Sequence, residues 1–128
     1  MIKGIDHVAL VTTDVERAAK FYKELLGFHE TGRLETTHSG TIIFIALDGT
    51  QLELFGGGKP RPEGEQGRAV GLTHLALLVE EIDAECERMS KLGVAFDMKP
   101  TSVESGLRIA FFKDPDGNAV ELMQRPQV

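Results

Sequence analysis

Short apolar runs, each interrupted by a single polar side chain, recur along this chain. Residues 4–11 read Gly-Ile-Asp-His-Val-Ala-Leu-Val, and residues 71–79 read Gly-Leu-Thr-His-Leu-Ala-Leu-Leu-Val. Both runs predict strands, and the first, residues 4–11, has apolar side chains on both faces, which predicts a strand that is covered on both sides. Residues 51–55 and 119–123 form a second similar pair, each with one Glu inside an apolar run. The pattern therefore predicts one fold unit that occurs twice.

The first copy has a helix signal between its strand candidates. Thr13 and Glu16 have the spacing of a capping box, with Thr13 as the N-cap. Gly27 follows where a left-handed residue usually ends a helix. A helix over about 14–26 is expected, with one apolar stripe made of Val15, Ala18, Ala19, Tyr22, Leu25 and Leu26. Three further strands are expected at 28–34, 41–47 and 51–55, the last two joined by the turn Asp48-Gly49.

The second copy repeats this order. It predicts a strand over 71–79, a helix over about 81–92 that ends before Gly93, and strands over 94–99, 107–113 and 119–124. The inward side chains of the helix are expected to be Ile82, Cys86, Met89 and Leu92, and residues 114–118 supply the hairpin turn. The fold class is α+β, with two tandem βαβββ modules over 1–56 and 71–128 that together make one domain. Residues 57–70 are rich in Gly and Pro and are expected to form a linker or flap.

Composition limits the possible partners and location. The chain has 128 residues and a net charge of −6, without a run of Lys or Arg, so nucleic acid is not expected as a partner. No apolar run approaches the roughly 18 to 20 residues that span a bilayer, so no membrane association is expected. A single cysteine, Cys86, is interpreted as a small buried hydrophobe, and it agrees with a cytoplasmic location.

Two histidines and two glutamates occupy equivalent places in the repeat. His7 and His74 are 67 residues apart and Glu53 and Glu121 are 68 apart. Taken singly, each His could be a core residue and each Glu a solvated strand residue. Their joint recurrence favours a shared use as ligands of one divalent metal ion. Two imidazoles and two carboxylates suit Ni²⁺, Co²⁺ or Zn²⁺, with Fe²⁺ or Mn²⁺ as alternatives, rather than Ca²⁺.

Several motifs resemble the vicinal-oxygen-chelate superfamily, which contains glyoxalases, bleomycin-resistance proteins and dioxygenases. They are the opening Ile-Asp-His-Val-Ala-Leu, residues 20–28 (Lys-Phe-Tyr-Lys-Glu-Leu-Leu-Gly-Phe) and residues 114–122 (Asp-Pro-Asp-Gly-Asn-Ala-Val-Glu-Leu). The ligand order His, Glu, His, Glu is most similar to glyoxalase I. This resemblance implies curled mixed sheets paired across a homodimer. It also implies shared metal sites, with His7 and Glu53 from one chain and His74 and Glu121 from the other.

The resemblance also implies a reaction, the isomerisation of a thiol hemithioacetal of methylglyoxal through a metal-bound enediolate. Glu121 would be the catalytic base, with Glu53 opposite it. Val11 and Gly57 stand where glutathione-using glyoxalases carry an Arg and an Asn, so a different thiol or another oxygen-chelating small molecule is a plausible substrate. Alternatives are an epimerase like methylmalonyl-CoA epimerase, an iron-dependent dioxygenase, and a ligand-sequestering protein of the bleomycin-resistance kind.

The other polar residues give weaker signals. Arg33, Lys59, Arg61 and Arg108 could hold a substrate anion, although solvated surface charge is the simpler interpretation for each. Arg108 is the best candidate of the four, because Leu107 and Ile109 on either side of it are apolar. The remaining histidines, His29 and His38, have no partners in the repeat and are interpreted as surface residues.

Overall fold

A computed structural model describes residues 1–38, 40–62 and 70–127. The chain divides into two compact units, Met1–Glu63 and Gly64–Val128. Half of the expected flap over 57–70, residues 63–69, lies outside the described residues. None of the described helices is both long enough and apolar enough to cross a membrane.

The first unit contains a four-stranded mixed sheet with one helical segment. Its elements are β1 (Val8–Val11), α1 (Val15–Lys20), β2 (His29–Thr36), β3 (Gly40–Leu47) and β4 (Thr50–Phe55). The strand order is β1-β4-β3-β2, with β1 parallel to β4 and the other neighbours antiparallel. The β3–β4 hairpin turns at Asp48 and Gly49, whose φ angles are 42° and 85°. Positive φ at both central residues is the requirement of a type I′ hairpin turn, as expected from the sequence.

The first helix differs from the expectation in two ways. Its N-cap is Asp14, whose Oδ1 accepts a hydrogen bond from the backbone N–H of Arg17 at 3.0 Å, so the assignment of the cap to Thr13 is wrong. Both residues are good N-caps, and the chain enters the helix one residue later than the capping-box spacing indicated. The α-helix also changes after Lys20 into a π-helical turn over Phe21–Leu25. Ala18, Ala19 and Tyr22 form the buried part of the expected stripe.

The second unit has the same architecture. Its elements are β5 (His74–Leu78), α2 (Ile82–Lys91), β6 (Phe96–Ser102), β7 (Arg108–Lys113) and β8 (Ala119–Gln124), with strand order β5-β8-β7-β6. Ile82, Cys86 and Met89 are buried as expected, whereas Leu92 is 64% exposed and its expected inward position is wrong. Leu92 is the C-cap residue, where the helical periodicity that placed it inward has already ended. The two expected βαβββ modules are confirmed, while curled sheets and pairing across a homodimer stay predictions.

The first strands of both units are less buried than the sequence indicated. Ile5 and Val11, which flank His7 at two and four residues, are 87% and 64% exposed. Leu72 and Leu78 have the same spacing from His74 and are 96% and 72% exposed. The expectation of a strand covered on both sides is therefore wrong for the first unit taken by itself, and the second unit shows the same exposure. An apolar face on the histidine side of each sheet is left uncovered.

Candidate metal-binding site

In the first unit, the sheet register brings His7 next to Glu53. His7 directly precedes β1, and Ala9, two residues later and on the same face, is the β-sheet partner of Glu53 in β4. Nε2 of His7 lies 3.2 Å from Oε2 of Glu53. Their side chains are 37% and 23% exposed, so the pair is accessible from one side.

In the second unit, His74 and Glu121 form the equivalent pair. His74 begins β5, and Ala76, two residues later, is the partner of Glu121 in β8. Nε2 of His74 lies 3.2 Å from Oε1 of Glu121, and the side chains are 36% and 8% exposed. The ring of Phe111 meets the His74 ring edge-on, with centroids 5.3 Å apart at 82°. The glutamate of this second pair is the more deeply buried of the two.

A phenylalanine stands beside each glutamate on the neighbouring strand. Phe44 is the β-sheet partner of Glu53, and Phe111 is the partner of Glu121. They are 67 residues apart, the same offset as the histidines, so the repeat extends to the aromatic neighbour of each glutamate. Each pair thus combines one imidazole, one carboxylate and one aromatic neighbour in the same register.

The distance between the two donor atoms of each His–Glu pair is compatible with both atoms binding the same divalent ion. Metal–nitrogen and metal–oxygen bonds of about 2.1 Å put two ligand atoms about 3.0 Å apart at a right angle and about 3.4 Å apart at a tetrahedral angle. The observed separation of 3.2 Å in both units falls between these values. Within residues 1–38, 40–62 and 70–127, no group of three or more His, Cys, Asp or Glu side chains is arranged to hold a metal ion. Each unit by itself therefore offers two donors.

The other ring nitrogen of each histidine also has a partner. Nδ1 of His7 lies 2.8 Å from Oδ2 of Asp6, and Nδ1 of His74 lies 2.8 Å from Oγ1 of Thr73. The hydrogen bond to Asp6, with a further contribution from the charge of Glu53, raises the pKa of His7 above its usual value. Neither Asp6 nor Thr73 was expected from the sequence to take part in the site. Their signal in the sequence is a polar acceptor directly before the histidine in both copies.

Two of the arginines that were candidates for anion binding, Arg33 and Arg108, have other partners in the structure. Arg33 is hydrogen-bonded to Glu16 and Glu30, and Arg108 donates to Asp83 at 2.7 Å and to Ser102 at 2.8 Å. Arg108 Nε is buried without a hydrogen-bond partner in the described structure. These contacts tie each arginine to the scaffold of its own unit, which favours the simpler interpretation of structural surface charge.

The single-residue interpretations of the cysteine and the remaining histidines agree with the structure. Cys86 is 5% exposed, and burial is the main cause that raises the pKa of its thiol. A thiol of that kind is a poor nucleophile and a poor metal ligand at neutral pH. His29 and His38 are exposed.

The end of β1 is lined by small and apolar groups. Val11 is 64% exposed, and Gly57 has φ of +77°. The backbone N–H of Gly58 donates to the carbonyl of Thr12 at 3.0 Å, and a Cβ at Gly58 would lie 2.5 Å from Cγ1 of Val11. The glycine segment therefore packs closely against Val11, and a side chain at Gly58 would collide with it.

Residues 4–122 match the Glyoxalase/Bleomycin resistance protein/Dioxygenase superfamily, and the chain belongs to it. It is 36% identical to an ethylmalonyl-CoA/methylmalonyl-CoA epimerase of Cereibacter sphaeroides, over 97% of this chain and 99% of the relative. It is 31% identical to a probable lactoylglutathione lyase of Vibrio cholerae, over 94% of this chain and 90% of the relative. The solved structure of TnmS3, an antibiotic-binding protein from Streptomyces sp. CB03234, is 31% identical with a TM-score of 0.77 and 98% coverage of both chains.

Proposed function

We propose that this protein is a divalent-metal-dependent lyase or isomerase, similar to glyoxalase I, that moves a proton on a carbon next to a carbonyl group. The observation that carries the proposal is the His–Glu pair that occurs in both units with the same 3.2 Å separation. Family membership alone does not choose a reaction, because the relatives include an epimerase, a probable lyase and an antibiotic-binding protein. The chemistry of the donor set supports an enzyme.

The ligands of the proposed ion are His7, Glu53, His74 and Glu121. Two neutral imidazoles and two carboxylates balance the charge of a divalent cation, and nitrogen and oxygen donors suit Ni²⁺, Co²⁺ or Zn²⁺. The two His–Glu pairs that together coordinate one ion come either from one chain or from two chains of a homodimer. Such an ion supplies Lewis acidity, which makes the hydrogen beside a carbonyl easier to remove.

Glu121 is the proposed base, and Glu53 is the carboxylate opposite it. The side chain of Glu121 is 8% exposed, so water competes little for its oxygens, whereas that of Glu53 is 23% exposed. A carboxylate that removes the proton from one carbon and returns it to the neighbouring carbon completes an isomerisation. An epimerisation needs a proton delivered to the same carbon from the other face, and the donor would be the opposite carboxylate, Glu53, in its protonated form, while Glu121 keeps the proton it removed. One residue set therefore serves either reaction, and the substrate decides between them.

The proposed substrate is a small molecule with two oxygens close enough to bind one ion together. It is either a thiol hemithioacetal of methylglyoxal, with the oxygens on neighbouring carbons, or a 2-substituted malonyl thioester, with the oxygens on the two carbonyl carbons that flank C2. The apolar end of β1 at Val11 and the side-chain-free segment at Gly57 favour a substrate without an anionic group at that end. The epimerase reading is kept as the second candidate because of the 36% identity over nearly the whole of both chains.

The homodimer expected from the sequence also remains a proposal. Its support is the uncovered apolar face of each sheet, where Ile5, Val11, Leu72 and Leu78 are between 64% and 96% exposed. Side chains of this type are rarely left together in water in such numbers, and a second copy of the chain is the proposed cover.

The test combines metal analysis with proton exchange. Purified protein should bind one divalent ion per chain by calorimetry. In deuterated water the loaded enzyme should exchange the hydrogen beside the carbonyl in the hemithioacetal of methylglyoxal or in methylmalonyl-CoA. Glu121→Gln should lower exchange by at least about 10²-fold at saturating metal, the usual size of a general-base contribution. Glu87→Gln, which removes an exposed carboxylate paired with Lys91 on α2, is the matched control.

Each result separates the candidates. Exchange with methylglyoxal and a thiol supports the glyoxalase reading, and exchange with the malonyl thioester supports the epimerase reading. A protein that takes up no metal, or Glu121→Gln with wild-type exchange, refutes the proposed mechanism. Tight ligand binding without exchange would favour a binding protein like TnmS3.

A further inference from the structure

We propose that Asp6 and Thr73 are positioning residues of the metal site, each holding the ring of the following histidine so that Nε2 faces the glutamate of its own unit. The inference rests on the proposed function, since it concerns how this chain presents its nitrogen ligands. It adds two residues that neither metal chemistry nor the repeat of His and Glu had singled out.

The contacts of the two ring nitrogens indicate which nitrogen of each histidine would bind the metal. In both units the Nε2 atom is the one 3.2 Å from the glutamate oxygen, while Nδ1 is 2.8 Å from an oxygen of the preceding residue. A nitrogen that binds a metal ion carries no hydrogen. With Nε2 as the ligand, Nδ1 holds the ring hydrogen and donates it to Asp6 or Thr73. These partners therefore fix both the tautomer and the orientation of the ring.

The two copies differ in the acceptor that contacts Nδ1 of the histidine. Asp6 offers an ionised carboxylate, whereas Thr73 offers a neutral hydroxyl at the same distance of 2.8 Å. Hydrogen bonds to a charged acceptor are about twice as strong as neutral ones, and a carboxylate makes the imidazole a better electron donor. His7 is therefore the stronger nitrogen ligand, and His74 depends more on its packing against Phe111.

Removal of either acceptor should weaken the binding of the metal ion. Removal of a partner of this kind typically weakens metal binding by about 10- to 100-fold. Asp6 is 88% exposed on its side chain, and water replaces part of what an exposed acceptor provides. We expect a loss of about 10-fold for Asp6→Ala, at the low end of this range, and a smaller loss of about 3-fold for Thr73→Val, because the hydroxyl of Thr73 is a weaker, neutral partner.

The experiment measures metal binding without reference to activity. Isothermal titration with Zn²⁺ gives the dissociation constants of wild type, Asp6→Ala, Asp6→Asn, Thr73→Val and Thr73→Ser. Asn and Ser keep a neutral acceptor and should recover most of the loss. Asp97→Ala, which removes an exposed carboxylate paired with Lys113, is the control and should bind as wild type does. Thr73→Asp should bind more tightly than wild type, and Thr37→Asp, at an exposed turn, controls for added charge.

A second readout reports the ring nitrogens directly. In protein loaded with Co²⁺, proton NMR should show two strongly shifted signals that disappear in deuterated water, one from the Nδ1–H of each histidine. Asp6→Ala should speed the exchange of one signal, and Thr73→Val that of the other. Dissociation constants within twofold of wild type for both variants, or coordination through Nδ1, would overturn this inference while leaving the proposed function intact. Wild-type protein that binds no metal would overturn both.

Discussion

Gln124, on a strand that is distant in sequence, caps the N-terminus of α2. Removal of its side chain should lower the free energy of unfolding by more than the loss of an ordinary N-cap does. Oε1 of Gln124 at the end of β8 accepts a hydrogen bond from the backbone N–H of Ile82 at 2.8 Å, where α2 begins. The local N-cap residue, Glu81, makes no capping hydrogen bond with its side chain. The first helix is capped locally instead, by Asp14.

The burial of the donor sets the magnitude. Ile82 is fully buried, so Gln124→Ala leaves an N–H that water cannot easily reach, and an unpaired buried donor costs about 1–3 kcal/mol. The N–H capped by Asp14 belongs to Arg17, which is exposed, so water can replace the lost acceptor. We expect Gln124→Ala to lower the free energy of unfolding by about 2 kcal/mol and Asp14→Ala by about 1 kcal/mol.

Urea denaturation followed by far-UV circular dichroism measures both values, and amide exchange in α2 locates the effect. Gln124→Glu keeps an acceptor and adds a negative charge at a helix N-terminus, so it should stay within about 0.5 kcal/mol of wild type. If Gln124→Ala costs no more than Asp14→Ala, burial of the donor does not decide the cost of this cap, and the reasoning fails.

Two further predictions concern charge and assembly. Lys23 and above all Arg33 lower the pKa of Glu30 to about 2, so its stabilising effect is complete above the usual value of 4.5 and is lost as the pH falls from 4.5 toward 2. Glu30→Gln should therefore destabilise by about 1 kcal/mol at pH 7, a size typical of exposed ion pairs, and the difference from wild type should vanish near pH 2 in urea titrations. Leu78→Lys should convert the proposed homodimer to single chains in sedimentation experiments. Leu92→Lys, at a similarly exposed leucine that follows α2 as its C-cap, should not. Equal masses for wild type and Leu78→Lys would contradict the proposed interface.

The features that the sequence predicted well are those with local or repeated signals. The two modules follow from short apolar runs, and Asp48-Gly49 marks its turn because glycine tolerates positive φ and aspartate adopts it more readily than most residues. Strand alternation indicated only that His7 and Ala9 share a face. The pairing that brings Glu53 to Ala9, and Glu121 to Ala76 in the second unit, was not predicted from the sequence and comes from the observed register.

The features that it missed depend on contacts between distant residues or on competition between neighbours. Gln124 and Ile82 are 42 residues apart, and nothing in either local sequence indicates that one caps the other. Thr13 and Asp14 are both good N-caps. Which of them caps the helix depends on the path of the backbone between β1 and α1. An apolar run such as residues 4–11 predicts that its side chains are buried in the native protein, but the pattern does not identify the segment or partner that buries them.

The proposed metal site would be asymmetric although it is built from a duplicated fold. Both units hold a His–Glu pair at the same separation, so duplication accounts for the four proposed donors. The surroundings of the pairs differ, with a charged acceptor behind His7, a hydroxyl behind His74, and deeper burial of Glu121 than of Glu53. In the proposed isomerisation one carboxylate, Glu121, moves the proton, while the other, Glu53, keeps its place as a ligand. Small differences of this kind would let two equivalent carboxylates take the two roles.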